Sequence, residues 1–213
     1  MLAEAHAAAP ASLAALAALP PIPEWDFERD GAPPTKIVRA WRKAADGGHS
    51  RAQFSIALCY DYGKGVTKDI KTAAEWYAKA AAQGDANALS NLGFFFEHGN
   101  GVAQDFKTAA ACYAKAAAQG NAVGQNNLGF LYARGVGVAQ DVKTAVEWFA
   151  KAAAQGYSRG QFNLGAAYQL GQGVAQDFKA AASLYAKAAA QGFVDATARR
   201  DACLARAAAA SRR

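Results

Sequence analysis

The stretch Lys71-Thr-Ala-Ala-Glu-Trp-Tyr-Ala-Lys-Ala-Ala-Ala-Gln-Gly84 decides the fold, because it returns three more times along the chain. The copies span 107–120, 143–156 and 179–192, each 36 residues after the one before. A weaker copy precedes them, with Trp41 in the register of Tyr77. A period of this length, filled with helix signals, is typical of stacked helical hairpins. The sequence therefore predicts an all-α solenoid of five 36-residue helix-turn-helix repeats, the last one incomplete.

Each repeat is predicted to hold two helices. Helix A begins after an aspartate suited to capping a helix N-terminus, and ends at a Gln-Gly pair whose glycine suits the left-handed position beyond a helix. Helix B spans 86–98 in the first full copy and ends at Gly99. A recurrent Gly-x-Gly-Val turn then leads to the next helix A. The capping aspartates are Asp69, Asp105, Asp141 and Asp177.

Both helices are amphipathic when residues are placed at about 100° per position. Helix B carries Leu89, Leu92 and Phe95 on its apolar arc, and Gly93 within it permits the close approach of another helix. Neither helix can bury its apolar arc alone, so neighbouring hairpins must share a continuous core. The apolar arc of helix A in the same copy contains Ile70, Ala73, Ala74, Tyr77, Ala80 and Ala81.

The fourth copy carries the fullest motif, in which Trp148-Phe149 is followed by Lys-Ala-Ala-Ala-Gln-Gly156, Asn163-Leu-Gly, Tyr168 and Gly-Gln-Gly-Val. This pattern resembles the Sel-one-like repeat (SLR), a relative of the tetratricopeptide repeats, over about residues 35–204. The resemblance implies a right-handed α/α superhelical solenoid. Members of the family act as adaptors in protein complexes, in bacteria often linked to signalling, the cell envelope or host interaction. Two copies depart from the pattern, with Cys112 and Leu184 in place of tryptophan.

We divide the chain into an Ala/Pro-rich, partly disordered leader and linker at 1–34 and a solenoid at 35–213. The repeats fall near 35–70, 71–106, 107–142, 143–178 and 179–213. In the last copy Arg200 stands where the others have leucine, and a polar residue there suits the terminal face of an array. We expect a capping helix from Val194 to about Ala208, with Ala196, Cys203 and Leu204 on its apolar arc.

The predicted function is the non-enzymatic binding of a protein or peptide on the concave face. The resemblance implies that helix A lines this face, so its polar arc, flanked by tryptophans, supplies the candidate binding residues. Glu75 with Lys79, and Glu147 with Lys151, also fit ordinary surface pairs four residues apart on a helix. The candidates are Thr72, Glu75, Trp76, Lys79, Thr108, Lys115, Thr144, Glu147, Trp148, Lys151 and Lys187.

Two recurrent features of helix B each allow two interpretations. Asn91, Asn127 and Asn163 either grip a peptide backbone, as asparagines do in the tetratricopeptide fold, or bond to backbone at the turn between repeats. The second is favoured. Phe94 and Phe130 either pack against the next repeat or form an apolar strip for a partner, and packing is favoured.

No motif for catalysis, a metal or a cofactor is recognisable. The Gly-x-Gly loops lack the preceding strand and the Gly-Lys-Ser/Thr ending of a phosphate-binding loop, and they recur in every repeat as turns do. His6, His49 and His98 have no second ligand at metal-binding spacing. We therefore expect no enzyme activity, no cofactor and no metal site.

Charge leaves one alternative partner class open. The chain has 23 Lys and Arg against 17 Asp and Glu, a net charge of +6. Residues 1–34 hold five acids and one base, which leaves +10 on the repeats. Such a surface attracts nucleic acid or anionic lipid without specificity. Acids alternate with bases along the repeats, however, so a nucleic-acid partner is not favoured.

The leader and the cysteines bear on location. Residues 13–19 are apolar, but Glu4 precedes them and the first base is Arg29, which is unlike a secretory signal, and the run is too short to span a membrane. Three cysteines without ligand or ladder spacing favour a reducing compartment. We expect a cytoplasmic monomer, with a periplasmic or secreted envelope or host-interaction factor as the alternative.

Overall fold

The computed structural model describes residues 31–210. Within this range the chain forms ten α-helices and no strand, which confirms the predicted all-α class. Residues 1–30, which hold most of the predicted leader, lie outside the described residues. The helices are α1 (Thr35–Asp46), α2 (Ser50–Tyr62), α3 (Ile70–Ala82), α4 (Ala86–His98), α5 (Phe106–Ala118), α6 (Ala122–Arg134), α7 (Val142–Ala154), α8 (Ser158–Leu170), α9 (Phe178–Ala190) and α10 (Val194–Ala210).

Helix boundaries fall where the capping residues predicted them. The side chain of Asp69 accepts a hydrogen bond of 3.1 Å from the backbone N–H of Thr72 at the start of α3. At the other end of α3, Gly84 has a φ of +85°, the left-handed conformation that glycine adopts without strain. Asp105, Asp141 and Asp177 cap α5, α7 and α9 in the same way.

The predicted apolar arcs form the core. Tyr77 of α3 is completely buried, as are its register equivalents Tyr113 of α5 and Tyr185 of α9. The glycines of helix B allow this packing: a Cβ added to Gly93 would lie 2.7 Å from the Tyr113 ring, closer than carbon atoms approach. The ring therefore rests directly on the backbone of α4.

The helices do not pair equally with their neighbours. Each of α2, α4, α6 and α8 packs more extensively on the helix that follows it than on the helix that precedes it. Hydrogen bonds reinforce these pairs, since the Tyr77 hydroxyl in α3 donates to the Asp61 carboxylate in α2 at 3.2 Å. The tight structural unit therefore begins at helix B and ends with the next helix A, half a repeat away from the division drawn from the sequence.

The two layers of the stack differ in how closely their equivalent helices pack on one another. Helix α4 packs directly on α6, and α6 on α8, whereas α3, α5, α7 and α9 have no packing of that extent on one another. In a curved stack, equivalent helices lie closer together on the concave side than on the convex side. This difference in packing favours helices α4, α6 and α8, in place of helix A, as the lining of the concave face.

The C-terminal helix α10 closes the array. Only Ala196 and Cys203 of this helix are buried. Arg200, in the register of the buried leucines, is half-buried and forms a 2.8 Å ion pair with Asp201. Leu204 is 50% exposed, so it does not belong to the apolar arc on which the sequence analysis placed it.

Candidate functional site

The candidate threonines at the starts of α3, α5 and α7 complete the N-caps. The hydroxyls of Thr72, Thr108 and Thr144 donate hydrogen bonds of 2.7, 2.6 and 2.7 Å to the capping aspartates. These bonds, with those from the threonine backbone N–H groups, lower the pKa of the Asp69, Asp105 and Asp141 carboxyls. The three threonines are thus engaged in helix capping.

The candidate lysines of two repeats lie on tryptophan rings. Lys79 Nζ is 3.9 Å from the centre of the Trp76 ring, and Lys151 Nζ is 3.9 Å from the centre of the Trp148 ring. Trp76 is buried, with 5% of its surface exposed, and Trp148 is half-buried. Cation–π contact therefore takes the place of the expected pairs with Glu75 and Glu147, which are exposed.

The remaining candidates lie in repeats without a tryptophan. Lys115 follows Cys112, and Lys187 follows Leu184, so neither lysine has an indole ring at the equivalent position. Lys115 and Thr108 instead line an open groove of about 460 Å³ between α3 and α5. All eleven candidates lie on helix A, so the structure spreads them over the outer layer and does not gather them into the concave groove.

Large exposed apolar side chains concentrate on the inner helices. Phe94 of α4 is 43% exposed and Phe130 of α6 is 40% exposed. Phe94 stacks on His98 of its own helix with ring centres 4.0 Å apart, and Arg134 lies over the Phe130 ring. The favoured interpretation, that these rings are covered by the next repeat, is therefore wrong. Tyr62, Val123 and Leu170 add exposed apolar surface to α2, α6 and α8.

The recurrent asparagines serve the interior of the solenoid. The Asn91 amide lies beside the Tyr77 hydroxyl, and the Asn127 amide lies beside the Tyr113 hydroxyl. In the next repeat, Asn163 donates to Asn126 Oδ1 at 2.9 Å. The contacts of these asparagines are with side chains and not with the backbone at the turn, so the favoured interpretation is wrong, and the grip on a peptide backbone stays a prediction.

A model of the Sel1 repeat matches residues 50–85, 86–121, 122–157 and 158–193. The chain belongs to the Sel1 repeat family. Each matched Sel1 unit begins at helix B and ends just beyond the next helix A, which is the tightly packed pair described above. Sel1 repeat proteins generally mediate protein–protein interactions, and the family is generally a non-enzymatic scaffold.

Several solved structures resemble the chain, and two of them are described as Sel1 or SLR proteins. A Sel1 repeat protein from Oxalobacter formigenes is 37% identical, with a TM-score of 0.72 over 80% of this chain and 70% of that one. A protective antigen of uropathogenic Escherichia coli with an SLR fold is 34% identical, with a TM-score of 0.72 over 82% of this chain but only 38% of that one. An immunity protein from Pseudomonas aeruginosa is 28% identical, with a TM-score of 0.54 over 85% of this chain and 65% of that one. No curated protein matches the chain.

Two ladders of side-chain hydrogen bonds, which recur from repeat to repeat, were not predicted from the sequence. The Tyr113 and Tyr185 hydroxyls donate 2.7 Å hydrogen bonds to Glu97 and Gln169 of the preceding helix, as Tyr77 does to Asp61. In the second ladder, the Gln83 amide at the end of α3 donates to Gln53 Oε1 at 2.7 Å, and the same pairing returns twice along the array. In the sequence, these ladders could have been predicted from the glutamines and acidic residues that recur at fixed positions of the 36-residue period.

The cysteines of the described residues are all in the interior. Cys59, Cys112 and Cys203 are buried and unpaired, and burial raises the pKa of each thiol. Across 31–210 no cluster of His, Cys, Asp and Glu has the arrangement of a metal site. In the same range no helix is long and apolar enough to span a membrane. His6 lies outside the described residues.

Proposed function

We propose that this chain is a scaffold that binds a protein segment along the concave face lined by α4, α6 and α8. The observation that carries the proposal is the exposure of Phe94 and Phe130, which occupy the same register on two helices that pack on each other. Exposed aromatic rings on a rigid surface serve as anchors in protein interfaces. The concave side of a solenoid offers an extended surface for such a segment.

Charge on the inner helices indicates the chemistry of the partner. Arg134 of α6 and Arg159 of α8 are exposed, and Arg134 lies 5.2 Å from the centre of the Phe130 ring. Glu97 of α4 is half-buried and accepts the Tyr113 hydrogen bond, so its charge is directed inward. We therefore propose a partner segment that carries apolar side chains for the two phenylalanines and carboxylates for the arginines.

A paired substitution tests this surface. Phe94→Ser with Phe130→Ser removes both rings from the concave face, and Phe106→Ser is the matched control, because Phe106 is 36% exposed on α5 of the outer layer. Each chain is used to capture partners from lysate of the organism of origin, with and without nuclease. Loss of a protein partner from the paired variant alone, unaffected by nuclease, is the expected result. Equal capture by all three chains contradicts the proposal, and nuclease-sensitive capture favours nucleic acid.

The location of the chain remains part of the proposal. Three buried, unpaired cysteines suit a reducing compartment, so we propose the cytoplasm over the periplasm or secretion. Sequencing the N-terminus of the mature protein tests this. An N-terminus within the first four residues is expected, whereas removal of the apolar run at 13–19 indicates export.

A further inference from the structure

The repeat that contains α5 lacks the tryptophan that the repeats on either side of it have. Trp76 packs into the core cluster that holds Val38 and Trp41 of α1, and Trp148 packs onto the cluster that holds Ala109 and Ala110 of α5. Each ring thus fills the space between its own helix A and the previous one. Cys112 stands at the same position of α5, and an open groove of about 460 Å³ lies between α3 and α5.

The groove has an apolar floor and a basic rim. Leu89 and Leu92 of α4, with Cys112, form the floor, and alanines of α3 and α5 form the walls. Lys107 and Lys115 of α5 stand at the rim, and both are exposed. Lys115 has the register of Lys79 and Lys151, which lie on tryptophan rings of their own repeats. The groove is therefore complementary to an aromatic side chain flanked by carboxylates.

The chain itself contains a segment of this chemistry. The sequence Glu24-Trp25-Asp26-Phe27-Glu28 precedes the described residues and places an acid on each side of Trp25. The chain has four tryptophans, of which Trp41, Trp76 and Trp148 occupy the repeats. Trp25 is thus the one tryptophan outside the repeat register.

The chain length between this segment and the solenoid is sufficient. Pro33 lies against the turn at Gly65, near the start of α3, and Trp25 is eight residues earlier. Eight extended residues span roughly 26 Å. Helices α1 and α3 are not closely packed, so their axes lie more than about 10 Å apart. With a helix radius of about 5 Å, the far side of α3 is roughly 20 Å from α1, which is still within this reach. Helices α1, α3 and α5 occupy the same place in successive repeats and run parallel, so their N-terminal ends lie on the same side of the outer layer. Pro33, just before α1, and Lys107, in the first turn of α5, are therefore on that same side.

We propose that the segment 24–28 folds back onto its own chain and inserts the Trp25 ring into the groove above Cys112. The Glu24 and Asp26 carboxylates then lie beside Lys107 and Lys115. The Trp25 ring would thus take the place of the tryptophan ring that the repeat with Cys112 lacks. It covers the outer layer, so this inference is independent of ligand binding on the concave face.

Zero-length carbodiimide crosslinking of the full chain tests the contact. We expect amide bonds that join Lys107 or Lys115 to Glu24 or Asp26, identified by mass spectrometry. In an equal mixture of unlabelled and ¹⁵N-labelled protein, these bonds join residues of one chain. Trp25→Ala is expected to lower their yield about tenfold, since a buried aromatic ring contributes at least the free energy of a tenfold change. Trp25→Phe, which keeps a ring, retains most of the yield.

The converse test fills the groove with a side chain of α5 itself. Cys112→Trp restores the residue of the neighbouring repeats and is expected to abolish the same crosslinks with segment 24–28 intact. In the chain that keeps Cys112, Trp25→Ala increases iodoacetamide labelling of Cys112 about tenfold, while labelling of the fully buried Cys59 is unchanged. Absence of the crosslinks, their survival in Trp25→Ala, or their formation only between chains overturns the proposal.

Discussion

The Tyr113 hydroxyl of α5 donates a 2.7 Å hydrogen bond to the Glu97 carboxylate of α4, and the ring beneath it rests on the backbone of Gly93. The same position in the next repeat holds Phe149, and the position equivalent to Glu97 holds Ala133. The array thus contains both a polar and an apolar version of one contact between helices.

Removing only the hydroxyl tests what this bond contributes. Tyr113→Phe leaves the half-buried Glu97 without its donor, so we expect a loss of about 1–3 kcal/mol in the free energy of unfolding. Urea denaturation followed by circular dichroism measures it. Tyr113→Phe with Glu97→Ala recreates the Phe149 and Ala133 pairing and should recover most of that loss. A double variant less stable than the single one refutes this explanation.

Position along the array decides the cost of a core substitution. Leu128 is buried at the centre of the solenoid, so Leu128→Ala should cost about 2–5 kcal/mol through the cavity it opens. Arg200 has the same register at the terminal face, where its ion pair with the exposed Asp201 contributes little. Arg200→Ala should therefore change the free energy of unfolding far less than Leu128→Ala does. Equal losses in chemical denaturation would show that α10 is not a terminal cap.

Acid should weaken the N-caps. Hydrogen bonds lower the pKa of Asp69, Asp105 and Asp141 in the folded chain, so their ionised forms stabilise it. This contribution is complete above the unfolded pKa of about 4 and is lost as pH falls through the lowered folded values. Replacing all three by asparagine keeps a capping acceptor but removes the titration.

Denaturation midpoints between about pH 5 and pH 2 make the comparison, since the aspartate caps titrate in that window. The unsubstituted chain should lose stability more steeply than the triple asparagine variant as pH falls. Asp61, whose pKa is raised by burial, titrates in both chains and so drops out of the difference. Parallel pH profiles would mean that the caps contribute no proton linkage.

Charge reversal on the outer layer separates the two faces of the solenoid. Reversing Glu75, Lys79, Glu147 and Lys151 removes two cation–π contacts, each worth about 0.5–1 kcal/mol at an exposed site, and should leave the fold intact. Partner capture should persist, because these residues lie on helix A and the concave face is formed by helix B. If a variant that still folds no longer captures the partner, the polar arc of helix A is the binding surface.

Much of the fold could be predicted from the sequence because its signals are local. The aspartate caps, the Gln-Gly ends and the Gly-x-Gly turns each fix a helix boundary within a few residues, and the arc of Tyr77 follows from helical spacing alone. The pairing of helices could not be predicted this way. A 36-residue period looks the same wherever the unit is cut, and the choice depends on contacts such as Tyr77 with Asp61.

The candidate site was less accessible to sequence reasoning. Whether helix A or helix B lies on the concave side depends on small differences in the spacing between helices. The amphipathic pattern of a helix does not contain this information. Helical wheels place Lys79 on the polar arc but do not show that its ammonium lies over Trp76. They also place Phe94 near the polar arc without showing whether another repeat covers it. The substitution of Cys112 for tryptophan was visible, but the groove it leaves required the packing of three helices.

Site-specific photocrosslinking tests the binding face most directly. p-Benzoylphenylalanine is placed at position 94, 130 or 147 of the full chain in the organism of origin, and the cells are irradiated. Positions 94 and 130 lie on the inner helices, and 147 is exposed on the outer layer. The concave face predicts light-dependent adducts with the same protein from positions 94 and 130 and none from 147. An adduct from 147 with none from 94 or 130 would contradict it.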